Sequence, residues 1–213
     1  AQETPAVSVI VANFPLLHAE APSLLLHQEV VVFFHEFGHA IHNTLSCTQH
    51  LGLSGSGGVA MDFVELPSQI LELWMWEPSV LRLITSHYKT GEPLPDEMIE
   101  ALIKSRSLGQ GFFVLNQILN SYLSLDFYEA GDGEIDVDAS LRSVYLSTLP
   151  HVLWDDGNRF YAAFLHLTSY GAAYYGYLLT RAYAYDLFGE ILREGLLDES
   201  AGKRFRDSIL RPG

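Results

Sequence analysis

The chain has 213 residues, of which 48% are hydrophobic, and its 26 acidic and 12 basic side chains leave a formal net charge of -14. That charge repels phosphate backbones and anionic lipid surfaces, which argues against nucleic-acid and membrane partners. The single cysteine, Cys47, rules out an internal disulfide and reads best as a buried inert thiol. No apolar run is long enough to span a bilayer, so cytoplasm is the default location.

Length and apolar content suit one domain with a sizeable core, residues 1–213, and the pattern is mostly helical. Val7–Asn13 is rich in β-branched residues and reads as an isolated strand, the one non-helical element expected. A helix over 23–46 follows, opened by Pro22 and capped by Ser23, with an apolar run from Leu24 to Phe34 that has no glycine or proline. Ser54-Gly55-Ser56-Gly57-Gly58 is a flexible connection that lets the chain reverse before a helix over 62–76. Further helices are expected over 80–87, 96–104, 111–127, 138–146, 158–167, 172–192 and 199–209. The acidic stretch 129–138 is a solvated turn, since its spacing fits no calcium-loop rule.

Chemistry concentrates first in His35-Glu36-Phe37-Gly38-His39. Histidines at i and i+4 share one helix face, so both imidazoles can point at a single zinc ion, while Glu36 reaches the water in the open fourth position. The pattern is short and also occurs in helices that bind nothing, but here a buried apolar helix leads into it. A hydrolytic zinc takes three protein ligands, and Glu65 is the candidate for the third. Asp62, one turn before it, is either an acceptor for a ligand imidazole N–H or an acid placed at a helix N-terminus. His42 lies seven residues after His35, roughly 10 Å along the axis, too far to share the zinc; it reads as a hydrogen-bonded neighbour of the site. His27 either lines the cleft or is a satisfied core histidine. His18, His50, His87 and His151 have no ligand spacing.

The second constellation is His166 to Tyr177, with one histidine and four tyrosines around two glycines. Phenol O–H and imidazolium N–H groups are suited to stabilising the oxyanion that forms when water adds to a peptide carbonyl. Tyr170 and Tyr177 are about two helical turns apart and can face the same way, whereas Tyr174 and Tyr175 read as packing. The competing reading is an aromatic-rich helix end in a core.

His35–His42 followed by Asp62–Gln69 resembles the thimet oligopeptidase family of zinc peptidases. The likeness extends through Ser54-Gly55, Asp62 to Trp76, His87 to Gly91, Gly111 to Ile118 and His166 to Tyr177. It implies one zinc per chain held by His35, His39 and Glu65, with Glu36 as general base. It further implies His166, Tyr170 and Tyr177 as substrate or transition-state contacts on a mobile loop. The implied activity is hydrolysis of internal bonds in short oligopeptides, on a zincin-like, mainly helical catalytic domain. Two departures stand out: the glycine-rich connection is one residue longer than in the family's namesake, and Ser169 stands where a glycine is expected in a loop one residue shorter. The family fold is two-lobed and several times longer, and this chain carries only the zinc lobe. The expectation is therefore a fragment or minimal peptidase with an open cleft, which a homodimer would cover. The alternatives are a zinc-lobe fragment without turnover, and a peptide-binding or metal-stabilised subunit whose partner supplies the missing lobe.

Overall fold

The computed structural model describes residues 5–15, 22–129, 131 and 133–213. Helix α1 (His27–Leu45) begins four residues later than expected. Ser23 does not cap it: its hydroxyl donates to the Pro15 carbonyl at 2.7 Å. Leu26 takes the cap position, and its N–H donates to the Glu29 carboxylate at 2.6 Å, an acid in the first turn where the helix dipole also favours it.

The expected strand over Val7–Asn13 is not formed. Residues 5–15 keep a strand's alternation, with Val7, Val9 and Val11 exposed and Ser8, Ile10, Ala12 and Phe14 half-buried. A strand, however, is made by its ladder partner, and here the segment rests on α1 instead. Ser8 Oγ donates to the Ala40 carbonyl at 3.2 Å, and the Phe14 and Phe33 rings lie 6.1 Å apart. Among the described residues the only β-pairing is an isolated bridge between Ser86 and Pro93.

The chain forms two compact units, Ala1–Arg106 with Thr180–Gly213, and Ser107–Leu179. In the first, α1 packs on α2 (Leu66–Trp74). Gly38 makes this possible, since a Cβ there would lie 2.4 Å from both the Pro67 carbonyl oxygen and the Ser68 Cα. The connection between the two helices is two 3-10 turns, Leu51–Leu53 and Gly55–Gly57. It is pinned to α1, because Asn43 Oδ1 accepts from the N–H and hydroxyl of Ser56 at 2.8 and 2.9 Å. The remaining elements are α3 (Pro78–Ile84), α4 (Asp96–Ser105), the part of α8 (Gly176–Glu194) from Thr180 onward, α9 (Glu199–Phe205) and a π turn, Arg206–Leu210. Leu66, Ile70 and Leu73 of α2 form a core with Ala184, Phe188 and Ile191 of α8. Full burial of each large aliphatic side chain contributes about 1.5–3 kcal/mol.

The second unit contains α5 (Gln110–Glu129), α6 (Val137–Thr148), α7 (His166–Ser169) and the opening turn of α8, around a core of Leu123, Leu141, Phe164 and Tyr174. Ala130 and Asp132 of the acidic turn lie outside the described residues; Asp136 at its end caps α6 by accepting from the Ala139 N–H at 3.0 Å. The helix expected over 158–167 is replaced by a 3-10 turn, Phe160–Ala162, and the four-residue α7. Asp155 and Asn158 accept from the backbone N–H groups of Gly157 and Phe160 at 2.8 and 2.9 Å, local bonds that compete with helix formation. Among the described residues no helix is long and apolar enough to cross a membrane.

Candidate functional site

Helix α1 sets His35 and His39 one turn apart, their rings 5.0 Å apart at 82°. Glu65, buried in the cap position of α2, faces both: its Oε2 is 3.2 Å from Nε2 of His35 and 3.2 Å from Nε2 of His39. One ligand atom from each residue lies within 4.8 Å of the others. Ser68, a turn further on, donates to Glu65 Oε2 and to the Glu65 carbonyl, both at 2.8 Å, so the carboxylate is aimed from its own helix. The close approach at Gly38 lets α2 deliver it.

His35 has a further partner that sequence reasoning missed. Its Nδ1 lies 2.7 Å from Glu72 Oε1. The available signal was spacing, because Glu65 and Glu72 are seven residues apart and share a face of α2. Burial works against charge on His35, but hydrogen bonds and charge from Glu65 and Glu72 outweigh it and raise its pKa to about 10. An environment this favourable to positive charge also favours a cation, and two imidazole nitrogens with one carboxylate oxygen are ligands that zinc takes, so the donor set fits.

The acceptor at His35 Nδ1 is Glu72, while His39 Nδ1 is buried with no hydrogen-bond partner among the described residues. Asp62 sits half-buried in the turn ahead of Glu65. Glu36 is half-buried on the same turn of α1 as His35. His42 is fully buried, and neither ring nitrogen has the expected hydrogen bond to a described residue; burial and then the neighbouring His39 push its pKa down. His27 packs edge-on against Trp76 at 4.4 Å, and burial lowers its pKa. Cys47 is exposed, contrary to expectation, because it follows the end of α1 in the connecting loop. His18 lies outside the described residues.

In the second unit, His166 opens α7, Tyr170 caps its C-terminus and Tyr177 lies in the first turn of α8. The rings of Tyr170 and Tyr177 stack at 5.2 Å and 23°, and the Tyr177 hydroxyl is 3.4 Å from His166 Nε2. Tyr174 is buried, as its packing role predicts, with its ring 5.0 Å from both His166 and Tyr177, whereas Tyr175, read with it as packing, is exposed.

The sequence is 35% identical to oligopeptidase A of Escherichia coli over 97% of this chain and 31% of that protein. It is 34% identical to saccharolysin of Saccharomyces cerevisiae over 97% of this chain and 30% of the relative. With the mitochondrial intermediate peptidase of Arabidopsis thaliana it shares 31% identity over 97% and 29% of the two chains. The chain thus spans less than a third of the length of these curated relatives. Residues 2–213 match the profile of Peptidase family M3, which bears out the resemblance drawn from the motifs. This chain belongs to peptidase family M3.

Proposed function

We propose that this chain carries the metal centre of a zinc-dependent metalloendopeptidase that hydrolyses internal peptide bonds of short oligopeptides. The observation that carries the reading is the convergence of His35 and His39 on one oxygen of the buried Glu65, with Glu36 beside them in sequence. Family membership and the names of the relatives support the substrate class. His35, His39 and Glu65 hold the ion, Glu72 accepts the Nδ1 proton of His35 and so leaves its Nε2 lone pair for coordination, and Ser68 orients Glu65. A bound zinc ion supplies Lewis-acid polarisation of the scissile carbonyl and a lowered pKa for the attacking water.

Glu36 takes a proton from the water as its oxygen bonds to the carbonyl carbon. It delivers that proton to the departing amine as the C–N bond breaks. His166, Tyr170 and Tyr177 donate hydrogen bonds to the carbonyl oxygen as it gains charge. The clustering of these three groups supports their joint role. Glu36→Gln is expected to keep about one zinc per chain and to lose cleavage of an internally quenched peptide by about a hundredfold or more. Undiminished cleavage would remove Glu36 as the base. Glu65→Ala is expected to lose zinc, and unchanged zinc content would remove it as a ligand.

A further inference from the structure

Resting on the reading of His166, Tyr170 and Tyr177 as oxyanion donors, we infer that Asn120 and Tyr128 of α5 are positioning residues, a two-point clamp that sets the orientation of this aromatic segment. Donors of this kind act only when held within about 0.5 Å of their working geometry. The segment has little regular structure to hold it. Helix α7 has four residues, the following 3-10 stretch Gly171–Tyr175 has five, and Gly171, the first residue of that stretch, adopts φ +56°, a left-handed break in the chain.

Each side of that break is tied by a side chain from the long, regular α5. Before it, the Tyr128 hydroxyl donates to the Leu167 carbonyl. After it, Asn120 Nδ2 donates to the Tyr174 hydroxyl oxygen at 3.1 Å. The two anchors are eight residues apart, about 12 Å along the helix. At the break itself, a Cβ on Gly171 would lie 3.7 Å from the Tyr128 ring, so the turn sits directly over one anchor.

Tyr174 passes the second anchor on through ring contacts. It meets Phe164 at 5.1 Å, His166 at 5.0 Å and 84°, and Tyr177 at 5.0 Å and 52°. Tyr170 is then placed by its stack on Tyr177. Asn120 and Tyr128 act through these rings and through the backbone of α7.

Hydrogen exchange and turnover together test the clamp in Asn120→Ala and Tyr128→Phe. Amide exchange across 164–177 is expected to quicken about tenfold in each variant while 137–148 keeps its protection. For a quenched peptide, kcat is expected to fall about tenfold with KM and zinc content unchanged, since misplacement of transition-state donors spares ground-state binding. Asn120→Asp, whose carboxylate accepts from the Tyr174 hydroxyl, is expected to restore both readouts to within about twofold. Wild-type exchange across 164–177 in both variants would overturn the clamp. So would unchanged kcat in both variants alongside a lowered kcat in Tyr177→Phe. If Tyr177→Phe itself keeps full kcat, the oxyanion reading falls and the clamp is judged on exchange alone.

Discussion

Glu72 shows how much a single side chain decides at this centre. By accepting from His35 Nδ1 it fixes the ring's rotation and tautomer, and such partners of ligating histidines are worth about 10–100-fold in metal affinity. Glu72→Gln is accordingly expected to weaken zinc binding by about that range, read by competition with a chromophoric chelator; wild-type affinity would deny it the role. The raised pKa of His35 makes a second prediction. Because the folded-state value, about 10, lies above the ordinary 6.5, the pairing of His35 with Glu65 and Glu72 stabilises the metal-free chain fully below pH 6.5. That contribution is lost as pH rises through about 10, and urea unfolding of metal-free protein between pH 6 and 10.5 should show the decline. A carrier of one extra proton at neutral pH must also release it on taking a metal. Calorimetry in buffers of different ionisation enthalpy should register about one proton released per zinc at pH 7.5. His35, Glu36 and His39 were legible because four-residue spacing alone puts both imidazoles on one face. Glu72 was not singled out, since an acid on an amphipathic helix has many ordinary reasons to be there.

Helices α1 and α2 are brought together by what α1 lacks at position 38. Gly38→Ala would drive a methyl group into the backbone of Pro67 and Ser68, with no flexible side-chain end to give way. Overpacking of this kind costs about 1–3 kcal/mol. Here it would also push Glu65 away from the imidazoles, so the variant is expected to lose both thermal stability and zinc affinity. A variant that melts lower but keeps wild-type zinc affinity would show that α2 can shift without carrying Glu65 along. Helix positions were mostly legible from apolar spacing: α4 starts at Asp96 as Pro95 and the acids after it predict, and α5 and α6 lie within two residues of expectation. Elsewhere α2 starts at Leu66 where 62 is expected and α3 ends at Ile84 where 87 is expected, and two further failures fall where side chains bond to the backbone. Ser23 bonds to the Pro15 carbonyl instead of capping the helix, and Asp155 and Asn158 break the segment that periodicity assigns to a helix. The Ser23 bond reaches eight residues back, which spacing does not encode, whereas the Asp155 and Asn158 bonds are local turns that apolar periodicity does not register.

Across the whole molecule the two units have separate cores, and the three proposed ligands belong to one of them. A ligand stabilises the state that holds it, so zinc is expected to slow amide exchange across 27–45 and 65–74 and to leave 110–148 unaffected. Equal protection of both ranges would mean that the units open together. Exposed apolar side chains just before and along the start of α5, Leu108 and Phe112 to Leu115, make concentration-dependent self-association the expected result in sedimentation velocity; a monomer at all concentrations would remove the homodimer expectation. By itself the sequence determined the helical class and the shared face of His35 and His39 on α1, because both follow from periodicity and fixed spacing, while the family was legible through the resemblance of its motifs, and Glu65 stood out as a ligand candidate beside them. Only the tertiary structure decided that Glu72 meets His35, that Gly38 lets the two helices approach closely, and that Asn120 and Tyr128 hydrogen-bond to the aromatic segment. Those contacts join residues from 29 to 54 positions apart, and a chain brings such residues together only through the packing of its helices.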